Sequence, residues 1–384
     1  MFSKFKLSGL LKIALKLLVN DSGKFFTLII GIMFAVFLIM QMTSSFVGVM
    51  RRTSADIINV GAKIWIMDPS VTSARDNIPL PNYILDAVRS MNGVKYAIPI
   101  YNGSGLVKLR TGRYQSVEVI GLDDTTLFGR PTIIKGNINA IYNNDAFVVV
   151  KNADYEKLDS PTIGTTFEIN DHRGVVVAIA ECAMSGLFGT PTFYTTYNRA
   201  ISTLPTTRFT MSYILAHPKS EPDLLRIKKQ VRKLGYMAIT EQEFVNMNTN
   251  YYLFRTGMGT NILIMTLISF VVGLSVAGQT FYTFVLENLD KFGALKAIGA
   301  KQSDLIQIIL FQSTVVGFLG YGFGVLLSSV MIALAKLRLA NYASMVTAGN
   351  LSFSFFMVLL IIVFSSYIGI RKVLKIEPFD IFRG

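Results

Sequence analysis

The chain has 384 residues, 51% of them hydrophobic and only 16% charged, with a formal net charge of +13 and a mean hydropathy of +0.47. A soluble domain carries about a quarter charged residues, so a wholly soluble protein is excluded. A single cysteine, Cys182, excludes an internal disulfide framework.

The chain opens on a basic, amphipathic leader. Leu7, Leu10, Leu11, Ala14, Leu15 and Leu18 recur at helical spacing, with Lys12 and Lys16 elsewhere around the helix. The pattern predicts a helix lying in the membrane interface with its lysines toward anionic headgroups. The apolar run 25–49 follows. It exceeds the roughly 7–15 residues of a signal-peptide core and starts after 24 residues, so it reads as a permanent anchor.

Residues 50–260 form a long polar stretch with 23 basic and 18 acidic side chains, an ordinary solvated surface without the basic stripe that nucleic acid requires. Its patterning is mixed. Residues 81–91 predict a short helix with Ile84, Leu85, Val88 and Met91 on one face. Strands are predicted at 94–100 and 105–109 around a turn at Asn102-Gly-Ser-Gly105, then at 116–121, 145–150, 165–169 and 174–180. A strand at 211–216, a helix at 222–234 and a strand at 236–240 complete the domain, with Leu224, Ile227, Val231 and Leu234 as the helix's buried face. Residues 241–260 are expected to continue as helix into the next span, with a hinge at Gly257 and Gly259 as the alternative.

Three further apolar runs, at 261–285, 305–335 and 351–370, bring the number long enough to span a bilayer to four, and none of the four contains Asp, Glu, Lys, Arg or His. The expected fold is an α-helical membrane protein with four transmembrane helices and a large α+β extracytoplasmic domain inserted between the first and second. Lys4, Lys6, Lys12, Lys16 and Lys24 precede the first span, and Arg371, Lys372, Lys375 and Arg383 follow the last. Short basic flanks favour the cytoplasm, which places both termini and residues 286–304 inside, in the inner membrane, and 336–350 outside. Arg51 and Arg52 run against that rule, but long translocated domains largely escape it.

No phosphate-binding loop and no Gly-x-Ser-x-Gly elbow occurs, and His172 and His217 lie far apart without a metal motif. The chain is therefore expected to be a non-catalytic subunit that binds no cofactor and no metal. Polar residues within the spans are uncharged, among them Gln41, Gln279, Gln307 and Gln312, and are expected to bond across helices or to sit near an interface. Small residues four apart (Gly31/Ala35, Ser269/Gly273/Ala277, Gly320/Gly324) allow close helix approach, either between copies or within the chain.

Between the second and third spans lies a charged segment, residues 287–304, too short for a domain and too polar for a bilayer. It predicts a surface helix with Leu289, Phe292, Leu295 and Ile298 as apolar anchors and Asp290, Lys291 and Lys296 as polar contacts. Gly299 would end that helix, and Ser303 or Asp304 would cap the next. Its core, Lys291-Phe-Gly-Ala-Leu-Lys-Ala-Ile-Gly-Ala300, followed by Ser303-Asp304, resembles the permease signature of ABC transporters of the MacB/FtsX/LolC type. The order of elements agrees along the whole chain, and the tail 370–382, with Glu377-Pro378, is similar to the family ending. Asp21-Ser-Gly-Lys-Phe-Phe-Thr-Leu and Phe128-Gly-Arg-Pro131 look most like the DevC branch.

The resemblance implies a homodimeric permease, without the ATPase domain fused in MacB itself, whose helix near 289–298 couples to a separate ABC ATPase that uses the ATP. It implies partners outside the membrane, a periplasmic adaptor (membrane fusion) protein and an outer-membrane channel, and export of a lipid, glycolipid or other envelope compound. Release of lipoproteins and FtsX-like regulation of cell-wall hydrolases are the family's other activities.

Overall fold

The computed structural model describes residues 2–76, 78–151, 154–184, 186, 189–204, 211–339 and 342–374. The chain divides into two compact units, one of residues 1–48, 260–335 and 344–384, the other of residues 49–259 and 336–343.

The first unit is helical. Its elements are α1 (Phe2–Val19), α2 (Ser22–Thr53, whose last residues belong to the second unit), α8 (Met258–Glu287), α9 (Leu289–Ala297), α10 (Gln302–Arg338) and α11 (Ala348–Leu374). Four of these, α2, α8, α10 and α11, are long and apolar enough to cross a membrane. They share one core in which Ile32, Val36 and Ile39 of α2 meet Phe281 and Val285 of α8, Ile309 and Val316 of α10, and Ile361 of α11. Lipid gives helices no hydrophobic reason to associate, so close packing and hydrogen bonds must hold them. Ser366 Oγ donates to Ser313 Oγ at 2.7 Å, and Asn350 Nδ2 donates to Ser44 Oγ at 2.8 Å. The leader helix α1 buries Ala14 and Leu18 in this core and leaves Lys12 and Lys16 exposed. Gln312 Nε2 donates across helices to the Ala14 carbonyl at 3.1 Å, whereas Gln279 and Gln307 are exposed. Leu15, expected on the apolar face of α1, points outward.

The second unit is α+β. Its strands are β1 (Ile64–Met67), β2 (Val94–Lys108), β3 (Tyr114–Leu122), β4 (Thr132–Gly136), β5 (Ala146–Val150), β6 (Thr166–Ile169), β7 (His172–Glu181), β8 (Thr192–Thr196), β9 (Tyr213–Pro218) and β10 (Met237–Thr240). They run in the order β10-β1-β9-β2-β3-β8-β5-β7-β4, with β6 joining β2 and β7. The helices are α3 (Ala55–Val60), α4 (Asn82–Arg89), α5 (Tyr197–Thr203), α6 (Glu221–Lys233) and α7 (Glu241–Phe254). α4 and α6 cover the β1–β9–β2 part with Ile84, Val88, Ile227 and Val231. α3 and α7 contribute Ile57, Val60 and Phe244 to a second core around Trp65 and Tyr213.

The turn expected at residues 102–105 does not form. β2 runs unbroken for 15 residues, pairing β9 through its first half and β3 through its second. The glycines there serve close approach instead. A Cβ at Gly103 would lie 2.7 Å from the Tyr101 ring, and one at Gly105 would lie 2.9 Å from Ile169. The expected continuation of 241–260 into the second span is likewise corrected. α7 begins with a Thr240/Glu243 capping box and stops at Phe254, and Gly257 turns the chain with φ +74 before α8 starts. The face assigned to α6 also changes at one end, because Leu234 follows the last helical residue and is exposed.

Candidate functional site

The charged segment 287–304 folds as expected into a short helix, α9, between α8 and α10. Asn288 makes the corner. It is buried, its Nδ2 donates to the Phe284 carbonyl at 2.8 Å, and its Oδ1 accepts from Lys291 Nζ at 2.7 Å. At the other end Gly299 takes φ +101, its N–H donates to Lys296 O at 3.1 Å, and the Ala300 N–H donates to Leu295 O at 3.0 Å. That pair of reversed bonds is the Schellman closure, and it requires the left-handed conformation that glycine adopts without strain. The next helix starts differently from expectation. It begins at Gln302, and Asp304, already inside the first turn, reaches back to accept from the Lys301 N–H at 3.1 Å.

The two faces of α9 are unlike. Phe292 is 1% exposed and lies in the core of the helical unit with Leu28, Phe281, Leu305 and Val373. Gly293 is buried beside it, and Leu289 and Leu295 pack against the same core. Three of the four residues expected as outward anchors thus hold the helix to its own chain. The reason is the spacing: 289, 292 and 293 fall on one side of a 3.6-residue helix. Asp290, Ala294, Ala297 and Ile298 fall on the other and are exposed, Ile298 by 86%. Lys291 and Lys296 flank this face half-buried. The outward surface is therefore a small platform of Ala294 and Ala297 with the Asp290 carboxylate at one end and one large apolar side chain, Ile298, at the other.

Sequence reading missed a connection beside this helix. Lys24, at the start of α2, pairs with Asp21 at 3.0 Å and with Glu287, at the end of α8, at 3.1 Å. Asp21 also accepts from the Lys24 N–H at 3.2 Å. The Asp21-Ser-Gly-Lys24 stretch and the charged segment, read separately in the sequence, are thus neighbours.

Among the residues expected to pack helices, all four face other spans of the same chain. A Cβ at Gly31 would lie 3.2 Å from Thr280 Oγ1, at Gly273 2.8 Å from Ala35, at Gly320 2.7 Å from Ile32 and at Gly324 2.5 Å from Val36. The residues 375–382 of the tail motif lie outside the described residues. In the α+β unit, His217 stacks on Tyr96 at 5.3 Å, and Phe128 approaches the same ring at 6.2 Å. His172 is exposed at the β6–β7 turn, and no cluster of three or more metal-binding side chains occurs among the described residues. Cys182 is half-buried 3.5 Å from the Tyr194 hydroxyl, and burial pushes its thiol pKa up.

Residues 25–234 match the MacB-like periplasmic core domain, and residues 247–378 match the FtsX-like permease C-terminal domain. The chain belongs to the MacB/FtsX type of ABC transporter permease. Within the chain of this permease, α9 falls inside the FtsX-like match. An uncharacterized ABC transporter permease of Methanocaldococcus jannaschii is 27% identical over 188 residues, covering 45% of this chain and 46% of that relative. The macrolide export ATP-binding/permease protein MacB of Burkholderia lata is 28% identical over 128 residues, 33% of this chain and 19% of MacB. The permease thus spans less than half the length of either relative. Two solved structures are similar to it. The extracellular domain of the noncanonic ABC-type transporter YknZ from Gram-positive bacteria gives a TM-score of 0.36 at 13% identity, covering 47% of this chain and 99% of that one. The periplasmic region of MacB from Actinobacillus actinomycetemcomitans gives 0.38 at 11% identity, covering 50% and 96%.

Proposed function

We propose that this permease works as the membrane subunit of an ABC exporter in the inner membrane, receiving ATP-driven motion from a separate ATPase through α9 and passing it to the α+β domain outside. The observation that carries the reading is the division of α9 into a face locked to the spans by Phe292 and an outward face ending in the exposed Ile298. A lever needs both. In this reading the termini and α9 are cytoplasmic, two copies of the chain pair, and the spans transmit movement rather than form a path for cargo, in keeping with their uncharged composition. The DevC-like stretches at 21–28 and 128–131 favour a periplasmic adaptor and an outer-membrane channel as further partners, and a lipid, glycolipid or other envelope compound as cargo.

The test is affinity purification of the tagged full chain from its native membrane after cross-linking. Recovery of an ABC ATPase, lost on Ile298→Asp, supports docking at α9, and recovery of an adaptor supports the assembly. An ATPase recovered equally with wild type and Ile298→Asp would remove α9 as the docking point. An ATPase found without any adaptor would replace the exporter with a lipoprotein-releasing or hydrolase-regulating role.

A further inference from the structure

The spans α8 and α11 lie side by side over their second halves. A Cβ at Gly278 would lie 3.8 Å from Ser365 Oγ, and one at Gly369 would lie 3.0 Å from Val285. The two pairings advance together along both helices, so the helices run parallel and end on the side of the membrane that carries α9. Between them lies a groove of about 670 Å³, with Leu274, Gly278, Gln279 and Tyr282 on one wall and Phe364 and Tyr367 on the other. That volume is within the range of about 300–1,000 Å³ usual for small-molecule sites.

The groove changes character along its length. Arg371 and Lys372 follow Tyr367 and the lining residue Ile368 by one helical turn, so they continue the same face at the α9 end. Both are exposed, and the Arg371 guanidinium lies 5.8 Å from the centre of the Tyr367 ring. Glu287, at the same end of α8, is already paired with Lys24. Tyr282 stands about one turn deeper than Arg371, and Gln279 about two turns deeper. Gln279 is exposed and lies six residues inside the apolar run that ends at 285. At 1.5 Å per residue that is about 9 Å within the hydrocarbon, where an amide facing acyl chains alone is costly. Deeper still the wall is apolar. Leu274 is followed on the same stripe by Val271 and Leu267, exposed by 52% and 57%, while Ser275 Oγ is spent on the Val271 carbonyl at 2.8 Å.

We propose that this groove binds an anionic phospholipid of the leaflet on the α9 side. The lipid phosphate pairs with Arg371, whose guanidinium forks onto two oxygens, and Lys372 adds charge. Tyr282 and Gln279 offer donors to the glycerol ester carbonyls, and one acyl chain runs over Gly278, Leu274 and Val271. The order of cation, ring, amide and apolar wall follows the order of phosphate, interface, ester and hydrocarbon in such a lipid. A second copy of the chain fits less well. Helices approach one another in a membrane through small side chains. Here Phe364 and Tyr367 stand 51% and 56% exposed beside Gly278 and hold another helix away from the floor.

The experiment is native mass spectrometry of the delipidated full chain in detergent, titrated with phosphatidylglycerol or phosphatidylcholine of identical acyl chains. A phosphatidylglycerol with a diazirine in one chain supplies photo-crosslinks. The first phosphatidylglycerol is expected to bind at least about tenfold more tightly than the first phosphatidylcholine, with crosslinks on 267–282 and 364–368. Arg371→Gln should reduce the preference by about fivefold. Ser275→Trp, which fills the groove from an exposed position, should weaken binding of both lipids and remove the crosslinks. Lys336→Gln, exposed at the opposite end of the spans, should alter neither. Two groove variants are used because either alone could disturb folding. Equal affinity for the two lipids, or crosslinks spread evenly over the exposed faces of all four spans, means annular lipid only and overturns the site. A preference that survives both groove variants in folded protein does the same. A disulfide between copies formed by Gln279→Cys in a Cys182→Ser background gives the groove to a second copy and also overturns it. The measurement involves neither an ATPase nor the outward face of α9, so its failure leaves the docking reading intact, and the reverse also holds.

Discussion

If the exposed end of α9 seats in an ATPase, Ile298 and Phe292 should fail in opposite ways when truncated. Ile298 is 86% exposed and touches little in its own chain. Ile298→Ala should leave the fold unaltered, because it removes no packed contact. Complete burial of an isoleucine side chain against a partner is worth about 1.5–3 kcal/mol. Loss of most of that on truncation to alanine corresponds to roughly 5- to 100-fold weaker docking per site. Ile298→Asp should weaken it further, since it would bury an unpaired charge. Phe292 is 1% exposed in the core of the helical unit. Phe292→Ala should cost about 3–5 kcal/mol of fold stability and reduce docking only through loss of folded protein. The assay is equilibrium binding of the purified ATPase to nanodisc-held permease, paired with a thermal melt of each variant. Equal affinity for wild type and Ile298→Ala, or a lower melting temperature for that variant, would refute the division of α9 into anchor and contact faces.

Three other outcomes follow from the packing. Gly324→Ala should destabilise the helical unit by about 1–3 kcal/mol, because its Cβ would sit 2.5 Å from Val36 of α2, whereas Gly322→Ala, with nothing within 4 Å, should be close to neutral in a detergent melt. Asn248→Ala removes the shared partner of Thr53, Ser54 and Ala74 and should cost about 2–4 kcal/mol. That is roughly 5–15 °C in the unfolding midpoint of the α+β domain, and an unchanged midpoint would contradict the role given to it. Cys182 should react with N-ethylmaleimide more slowly at pH 7 than an exposed thiol, because burial raises its pKa and lowers the thiolate fraction. Its labelling rate, followed by mass spectrometry, should climb by about tenfold per pH unit until the raised pKa is passed.

Much of the fold was legible because the bilayer and the helix leave strong signatures. Four uncharged apolar runs gave the four long helices, and Ile84, Leu85 and Val88 marked the buried face of α4. Two of the misreadings share a cause: glycine has two uses that sequence does not separate. At 102–105 it was read as a turn, but it lets Tyr101, Ile169 and Leu204 crowd a continuous strand. At Gly257 the positive φ was real, and it ended α7 before the span. Strand β1 was passed over for another reason. Its four residues, Ile64 to Met67, are all buried, so no alternation betrays them, and an apolar run this short has no period to read.

The motif at 291–300 was legible as a unit, yet of the four apolar anchors expected to face outward only Ile298 does, while Leu289, Phe292 and Leu295 pack on the helical core, which suits a lever better. A helix that met its partner through all of its large side chains would have nothing left to fix it to the spans. It would then yield under load. In α9 the large side chains are spent inward, on the core that α8, α10 and α11 share. The corner at Asn288 is closed by two side-chain bonds and the far end by the Schellman pair at Gly299, so neither junction is free to swivel without breaking hydrogen bonds. Lys24 adds a salt bridge from the start of α2 to Glu287. As a surface pair it contributes little energy, but it ties the first span to the same corner. Force applied at Ile298 would then reach α8 and α10 directly through the chain and α2 and α11 through the core. If an ATPase docks there, as proposed, Ala294 and Ala297 on the outer face would let its surface approach the helix backbone closely and would stiffen the contact.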